Sequence, residues 1–356
     1  MPGTPPFADA EFIRAMPKVE LHVHLEGTLR PATLFRLAEQ NRLSLPFKNP
    51  AEIEEKLYRY RNFQDFIAAL LLGVHCLRQL EDFRNVVVDL GAEMARQNIR
   101  YAEIIWTPQF YLRLGLPFDI LLEALNEGRR EAGRQWGVEM RWITDLVRSV
   151  PAPAWQVVKW ACSEKARCGG VVALGLGGPE SGYPPALFSD HFCYARRRGL
   201  PANPHAGEGA GPESIRAAIT FLGAKRIGHG VRAKEDPALV QLLAAQGLPL
   251  EVCPTSNLRL GLYSSYASHP LRQLVEAGCV VTINSDDPAL FQTTLTAEYL
   301  HAVTDCGLSL TALKESVLNA VRSCYLSDFQ RQEMLTAFHS EFYRLNVAAG
   351  TPALSG

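Results

Sequence analysis

Nine histidines are spread over the 356 residues, and four of them sit in company that suggests chemistry. His22 and His24 form an H-x-H pair inside Val19–Leu25. His205 opens His205-Ala206-Gly207-Glu208, His229 lies between glycines in Ile227-Gly228-His229-Gly230, and Asp286-Asp287 precede Pro288. On a strand alternate residues point the same way, so the imidazoles of an H-x-H pair share a face. Buried there, they either ligate a metal or need other polar partners, because an unsatisfied polar group is expensive. The pair alone reads equally well as structural. A third histidine and a carboxylate from other segments tip the balance, since nitrogen and carboxylate donors with an open position suit a catalytic Zn²⁺. Such an ion lowers the pKa of a bound water toward about 7. The expected ligands of one Zn²⁺ per chain are His22, His24, His205 and Asp286. Glu208, three residues past a ligand and outside any strand, reads as a general acid or base, or as a carboxylate at a helix N-terminus ahead of Pro212-Glu213-Ser214. His229 has the commoner reading of a core histidine, raised only by its neighbours. The Asp286-Asp287 pair has a helix cap at Pro288 as its bland reading, and serves one site only if the chain turns between the two.

These residues need elements that bring them together. A short apolar run, a polar cluster and a helical pattern recur along the chain. The runs are Val19–Leu25, Tyr101–Trp106, Val138–Leu146, Val171–Leu176, Leu200–His205, Arg226–Val231, Leu248–Cys253 and Val280–Asp286. From the second onward they start about 25 to 40 residues apart, with amphipathic helices such as Ser214–Leu222 and Pro237–Ala245 between them. Eight βα units predict an α/β fold, a (β/α)₈ TIM-type barrel of parallel strands, which gathers catalytic groups at the C-terminal strand ends. Pro201 and Pro204 make the fifth strand the weakest. The first gap, about 75 residues, is too long for a crossover and holds helical segments at Pro31–Asn41, Asn62–Cys76 and Glu81–Gln97. It reads as a helical lid insertion at about 30–98, and a helical tail with Ala312–Ser323 and Ser327–Arg344 occupies about 300–350. Residues 1–356 are expected to form one domain, because a cut between His22 and Asp286 would divide the metal site.

Composition narrows the partners. Lys and Arg total 36 against 37 Asp and Glu, and this balance gives no footprint for nucleic acid. The run Arg196-Arg197-Arg198 before Gly199 reads as a helix C-terminus. With 47% hydrophobic and 21% charged residues, extended disorder and coiled coil are excluded. The start lacks a basic and apolar leader and no apolar run approaches the roughly 20 residues of a membrane span, so no membrane partner and a cytoplasmic location are expected. Eight scattered cysteines without a C-x-x-C pair read as reduced thiols. His75, His191, His269, His301 and His339 read as surface or ordinary core residues. A small molecule is the expected partner, and a homo-oligomer is left open.

Val19–Gly27 (VELHVHLEG), His205–Glu208 (HAGE), Arg226–Val231 (RIGHGV), Cys253–Asn257 (CPTSN) and Asn284–Pro288 (NSDDP) resemble the successive signatures of the adenosine deaminase family, within the amidohydrolase superfamily. The resemblance runs in order from about Pro17 to Leu300. It implies a zinc held by His22, His24, His205 and Asp286, with Glu208 protonating the purine ring nitrogen N1 and His229 orienting the zinc-bound hydroxide. It also implies Asp287 as the acceptor at N7 and the backbone of Gly178 as the donor to N3, with His24 and Glu26 completing the substrate contacts. Hydroxide adds to C6 and ammonia leaves, which is deamination of a 6-aminopurine nucleoside such as adenosine, or a 5′-substituted adenosine.

Departures from the pattern bear on the substrate. The best-known branch carries Asp where this chain has Glu26, near the ribose 5′-hydroxyl, and Gly-Asp-Glu where this chain has Gly178-Pro179-Glu180. Aminodeoxyfutalosine of menaquinone biosynthesis, adenine and N6-methyl-AMP are the alternative substrates, and His-Ala-Gly-Glu resembles the nucleoside-handling branches. A non-catalytic purine-binding relative would be expected to have lost a ligand or the acid. Strand four has no lysine to bridge two metals, and the H-x-E with P-C-x-x-C of cytidine deaminases is missing. Gly207–Gly211 as a phosphate loop lacks a Walker lysine. Tyr58, Tyr60, Phe63 and Phe66 fall where a lid would cover a nucleoside, but read equally well as helix-core aromatics; Trp106 and Arg148 share that ambiguity.

Overall fold

The computed structural model describes residues 7–60 and 63–350. Eight strands run in chain order, each parallel to the next: β1 (Lys18–His24), β2 (Ile99–Trp106), β3 (Glu139–Val147), β4 (Val171–Gly177), β5 (Ala202–Ala206), β6 (Ile227–His229), β7 (Leu250–Val252) and β8 (Val281–Ile283). The turn closes where the His24 N–H donates to the Asp286 carbonyl at 2.8 Å and the Asp286 N–H donates to the His22 carbonyl at 3.0 Å. This is the expected (β/α)₈ barrel. Pro204 is accommodated in β5 because it pairs with Leu176 of β4, while pairing with β6 begins only at His205.

Two strand ends differ from the sequence reading in a way that matters. β8 stops at Ile283, and Asp286 lies three residues further on, with φ +63. His229 ends β6 with φ +60. The left-handed region costs a non-glycine residue on the order of 1–3 kcal/mol, and it persists only where the surroundings impose it. At Asp286 the imposing element is the bridge to β1, which turns the chain inward.

Between β1 and β2 lie α2 (Pro31–Gln40), α3 (Pro50–Lys56), α4 (Phe63–Cys76) and α5 (Leu80–Arg96), after an opening helix α1 (Phe7–Ala15). The sequence reading overlooked α3, although its signal was present: Asn49 caps it by accepting from the Glu52 N–H at 3.0 Å, and Pro50 follows. Ser214–Leu222, read as one helix, is an α-helix over Pro212–Ala217 continued by a π-turn over Ala218–Leu222. Helices at Leu310–Ser323 and Asp328–Gly350 form the tail, and the basic run ends a helix at Arg197 before Gly199. Among the described residues no helix is long and apolar enough to cross a membrane. The barrel interior is unusual in its polarity: His22, Glu103, Asp145, Asn203, His205, Arg226, His229 and Glu251 are all buried there.

Candidate metal and catalytic centre

The H-x-H pair does what alternation requires. His22 Nε2 and His24 Nε2 each lie 3.3 Å from Asp286 Oδ1, and His24 Nε2 lies 3.1 Å from His205 Nε2. Donor atoms of His22, His205, His229 and Asp286 all fall within 4.8 Å of one another, as do those of His24, Asp286 and Asp287. The four residues expected as ligands therefore converge, with His229 and Asp287 against them.

The far side of His22 fixes its orientation. Its Nδ1 lies 2.8 Å from Glu251 Oε2, so that nitrogen carries the proton and Nε2 is left with its lone pair toward Asp286. Glu251 is itself held by Arg226 Nε at 2.6 Å and Asn203 Nδ2 at 3.1 Å, and Arg226 also pairs with Glu103 at 2.5 Å. His22 Nε2 is buried and has no hydrogen-bond partner of its own. An orphaned imidazole nitrogen, two further Nε2 atoms in reach and a carboxylate oxygen form a donor set that fits a divalent zinc ion, with the carboxylate behind His22 supplying the usual outer support.

Charge is arranged accordingly. Burial works against a charged His22, yet the nearby Asp286 carboxylate and the hydrogen-bonded Glu251 prevail and raise its pKa to about 10. Burial likewise opposes charge on His24, but Asp287 and Asp286 raise it to about 9. Asp286 is buried too, and the histidine hydrogen bonds hold it well below the usual carboxylate range. Without a cation the carboxylates keep protons on the imidazoles; a divalent ion would displace them, because ligation needs the neutral ring.

Glu208 and His229 occupy one side of this cluster. His229 Nε2 lies 3.6 Å from Glu208 Oε1 and 3.9 Å from Asp286 Oδ2. Burial first, then the neighbouring Asp286 and Glu180 carboxyls, push the Glu208 pKa up to about 8. Burial depresses His229 to about 4, so its ring is neutral. The loop carrying Glu208 is held by a single carboxylate: Glu180 accepts the backbone N–H groups of Gly207 at 2.9 Å and of Glu208 and Gly209 at 2.8 Å, plus the Ser214 hydroxyl. The glycine-rich loop thus spends its amides on an internal anion.

A cavity of about 470 Å³ opens onto the cluster, with His24, Glu26, Asp145, Gly178, His205, Glu208, His229, Asp286 and Asp287 on its polar side. Burial, then Asp286, raises the Asp287 pKa to about 8. Gly178 turns at φ +87 beside the cavity. Glu26 reaches it with one oxygen already engaged, since Oε1 accepts from the Thr107 N–H at 3.1 Å and the Tyr111 hydroxyl at 3.0 Å. Its apolar lining comes from Phe66, Ile67, Leu70 and Leu71 of α4, with Phe110, Val147, Val150 and Leu260.

The family profile described as adenosine deaminase matches residues 17–340. The chain belongs to the adenosine deaminase family. Its members include an aminodeoxyfutalosine deaminase of Streptomyces avermitilis, 37% identical over 316 residues that span 88% of each chain. An adenine deaminase of Acinetobacter baylyi is 33% identical, covering 92% of this chain and 97% of that protein. A crystal structure of a Burkholderia ambifaria amidohydrolase with bound Zn superposes with a TM-score of 0.88 at 27% identity, covering 97% and 95% of the two chains. This adenosine deaminase family member is therefore a hydrolytic deaminase of the amidohydrolase superfamily that acts on adenine-like substrates.

Several residues around the site were not singled out from sequence. Glu251 and Arg226 sit inside quoted strands without a role, and Asp145 was passed over as one residue of β3. Asp145 is buried with Oδ1 unpartnered, and its oxygens fill the space above Gly175 and Gly177, where an added Cβ would lie 2.0 and 2.2 Å away. That pairing of a carboxylate with two glycines on the next strand is visible only once the register is known. Of the aromatics, Phe66 lines the cavity, whereas Tyr58 and Tyr60 donate to the carbonyls of Leu29 and Leu290; the Phe63 side chain lies outside the described residues. Arg148 braces β5 by donating to the His205 carbonyl at 2.6 Å, and Trp106 is core. His269, read as ordinary core, is buried and bonded to Asn257, a member of the CPTSN motif.

Proposed function

We propose that the protein hydrolyses the 6-amino group of a purine nucleoside, adenosine or a 5′-substituted adenosine, with one zinc held by His22, His24, His205 and Asp286. The observation that carries this reading is a cavity lined both by His24, His205, Asp286 and Glu208, whose pKa is pushed up to about 8, and by apolar side chains. Its volume of about 470 Å³ is in the range of ligand pockets and exceeds what a bare bicyclic base fills. His22, His24, His205 and Asp286 would hold the zinc, which would supply Lewis acidity and bring the pKa of a water toward about 7.

The remaining steps belong to the side chains. Glu208, buried and protonated near neutral pH, gives its proton to ring nitrogen N1, which makes C6 electrophilic. His229, fixed beside Glu208 and Asp286, orients the oxygen that adds to C6. The proton of the added oxygen then passes to the amino nitrogen, C6=O forms as the C6–N bond breaks, and ammonia leaves. Purine N7 offers only a lone pair, so Asp287 meets it as a donor, a role its raised pKa of about 8 supports, rather than as the acceptor suggested by the family pattern. The Gly178 backbone at N3 and Glu26 near the ribose complete the contacts, and we read the whole chain as one catalytic unit with α2–α5 as its lid.

A second reading, a nucleoside with an apolar 5′ extension, is favoured by the cavity mouth. Leu71 and Val150 line it while 44% and 50% exposed, and no lysine or arginine is among its described lining residues. A lining of that kind suits an uncharged apolar extension better than a 5′-phosphate. The test is loss of adenine-band absorbance with adenosine, adenine, 5′-modified adenosines, aminodeoxyfutalosine and N6-methyl-AMP, compared by kcat/KM. Nucleosides should lead adenine and the 5′-phosphate; zinc-loaded protein that turned over none of the panel would end the proposal.

A further inference from the structure

Behind His229 the structure holds a chain of hydrogen bonds whose direction is set at its far end. The Leu271 N–H donates to His269 Nδ1 at 3.2 Å. A backbone N–H can only donate, so that ring nitrogen is an acceptor and the His269 proton resides on Nε2. His269 Nε2 lies 3.0 Å from Asn257 Oδ1, which accepts it. The Asn257 amide is thereby turned so that its Nδ2 faces His229 Nδ1 at 3.3 Å. The flipped amide would set two donors against each other at His269 and is excluded on that ground. His229 Nδ1 accepts, and the neutral ring keeps its proton on Nε2, which faces Glu208 Oε1 and Asp286 Oδ2.

We infer that Asn257 and His269 are positioning residues that hold His229 in the Nε2–H tautomer, so that His229 meets the reacting centre as a hydrogen-bond donor and not as a base. The groups enforcing this are sealed from water: Asn257, His229 and His269 are all buried, and the Tyr263 ring lies edge-on to His269 at 5.0 Å. Burial also keeps His269 neutral, holding its pKa near 3. The other polar groups facing His229 are the His22 and His205 rings at 5.0 and 5.4 Å, Glu208 and Asp286; none of these touches its Nδ1 in the hydrogen bonds observed. The inference separates two residues that the geometry of the cluster alone does not. His229 falls within 4.8 Å of His22, His205 and Asp286 as a ligand would, but with Nδ1 engaged and Nε2 protonated it has no lone pair to offer a cation. His24, whose Nε2 points at Asp286 Oδ1, is left as the fourth ligand.

The tautomer stands on geometry alone, whereas its effect on turnover rests on the deaminase reading above, and the test keeps the two apart. Nitrogen-15 NMR of the histidine side chains in the holoprotein, with the His229 signals assigned by their loss in His229→Gln, reads the tautomer without any substrate. The expected pattern is a protonated Nε2 and an unprotonated Nδ1 in the unmodified protein. Asn257→Asp keeps the shape but presents only acceptors to His229, so it should move the proton to Nδ1 and lower kcat about 10²- to 10⁴-fold at little change in KM or zinc content. His269→Gln, which can still donate to Asn257 Oδ1, should keep at least about tenfold more kcat than His269→Leu. A proton on Nδ1 in the unmodified protein overturns the inference even if the Asn257 and His269 variants fail to fold. So does Asn257→Asp with an unchanged tautomer and kcat. Correct NMR patterns in a protein that deaminates nothing would instead count against the proposed function.

Discussion

Substituting Gly27 by alanine tests the role of Asp287 without touching it. A methyl built on Gly27 lies 2.0 Å from Asp287 Oδ1 and 2.5 Å from both its Cβ and Cγ. Real Cβ contacts essentially never fall below 3.0 Å, so the carboxyl must retreat by about 1 Å. Rotation about χ1 does not relieve the contact at Cβ, so the whole Asp287 residue has to shift. Misplacing a reacting or orienting group by about 1 Å costs on the order of 10²-fold in rate, equivalent to about 2.7 kcal/mol of barrier. Overpacking costs about 1–3 kcal/mol of stability, which leaves the protein folded. The assay is kcat/KM for adenosine from the adenine absorbance, with zinc content and thermal unfolding as controls. Zinc should stay near the unmodified level, because the bridge that fixes Asp286 runs through its own backbone to His22 and His24. The decisive comparison is Asp287→Ala with and without Gly27→Ala: once the carboxyl is gone, the methyl should have little left to disturb, and the two losses should be far from additive. A Gly27→Ala protein within twofold of the unmodified kcat/KM, or a double variant that loses the full product of both effects, would refute the argument that Gly27 exists to seat Asp287.

Glu208→Gln should retain zinc while kcat falls about 10²- to 10⁴-fold, measured by absorbance and metal analysis. With Glu208 as the proposed proton donor, activity should persist below its pKa and be lost as pH rises through it. A bound cation draws that pKa down, so the alkaline limb of kcat/KM should lie at or below about 8, and a profile still climbing there would contradict the assignment. Stripping the metal with a chelator should abolish turnover reversibly and lower the unfolding temperature, since a ligand bound only by the folded state at a thousandfold excess over its Kd contributes about 4 kcal/mol. Leu71→Asp and Val150→Asp, at the cavity mouth, should raise KM for apolar 5′-extended nucleosides at least about fivefold more than for adenosine, measured side by side.

The chemistry was more legible in the sequence than its support. The convergence of His22, His24, His205 and Asp286 was foreshadowed by residue type and by their place near strand ends, and that of Glu208 and His229 by proximity to them; their roles remain proposals. Period-two alternation and βα spacing sufficed for the barrel because every strand is a short apolar run between turn signals. Glu180, Glu251 and Arg226 carry no such mark: an acid in a Gly-Pro-Glu turn or a Leu-Glu-Val strand gains its meaning from partners 25 to 229 positions away. The end of β8 was misplaced for a related reason, since Asn284-Ser285-Asp286 continues a plausible strand in local pattern, and only the pull of β1 turns it. His269 shows the same limit. Nothing near Ser268-His269-Pro270 indicates that the ring faces Asn257, and its bond to a backbone amide two residues on emerges only from the folded turn.

The seam between β1 and the loop after β8 has a consequence for the order of events during synthesis. His22 and Asp286 are separated by about 260 residues, and the hydrogen bonds that close the barrel join them directly. At about 5–20 residues per second, the first histidines leave the ribosome roughly 15–50 s before their carboxylate partner. During that interval β1 is an unpaired apolar strand edge, and the cluster lacks the acid on which both its histidines converge. Ser323 and Tyr325, which touch Arg226 from the tail through a carbonyl bond at 2.9 Å and ring stacking at 4.1 Å, arrive later still. The nascent chain thus cannot complete the cluster proposed to hold a cation until Asp286 has emerged, and a ribosome stalled upstream of it leaves the histidines without their carboxylate partner.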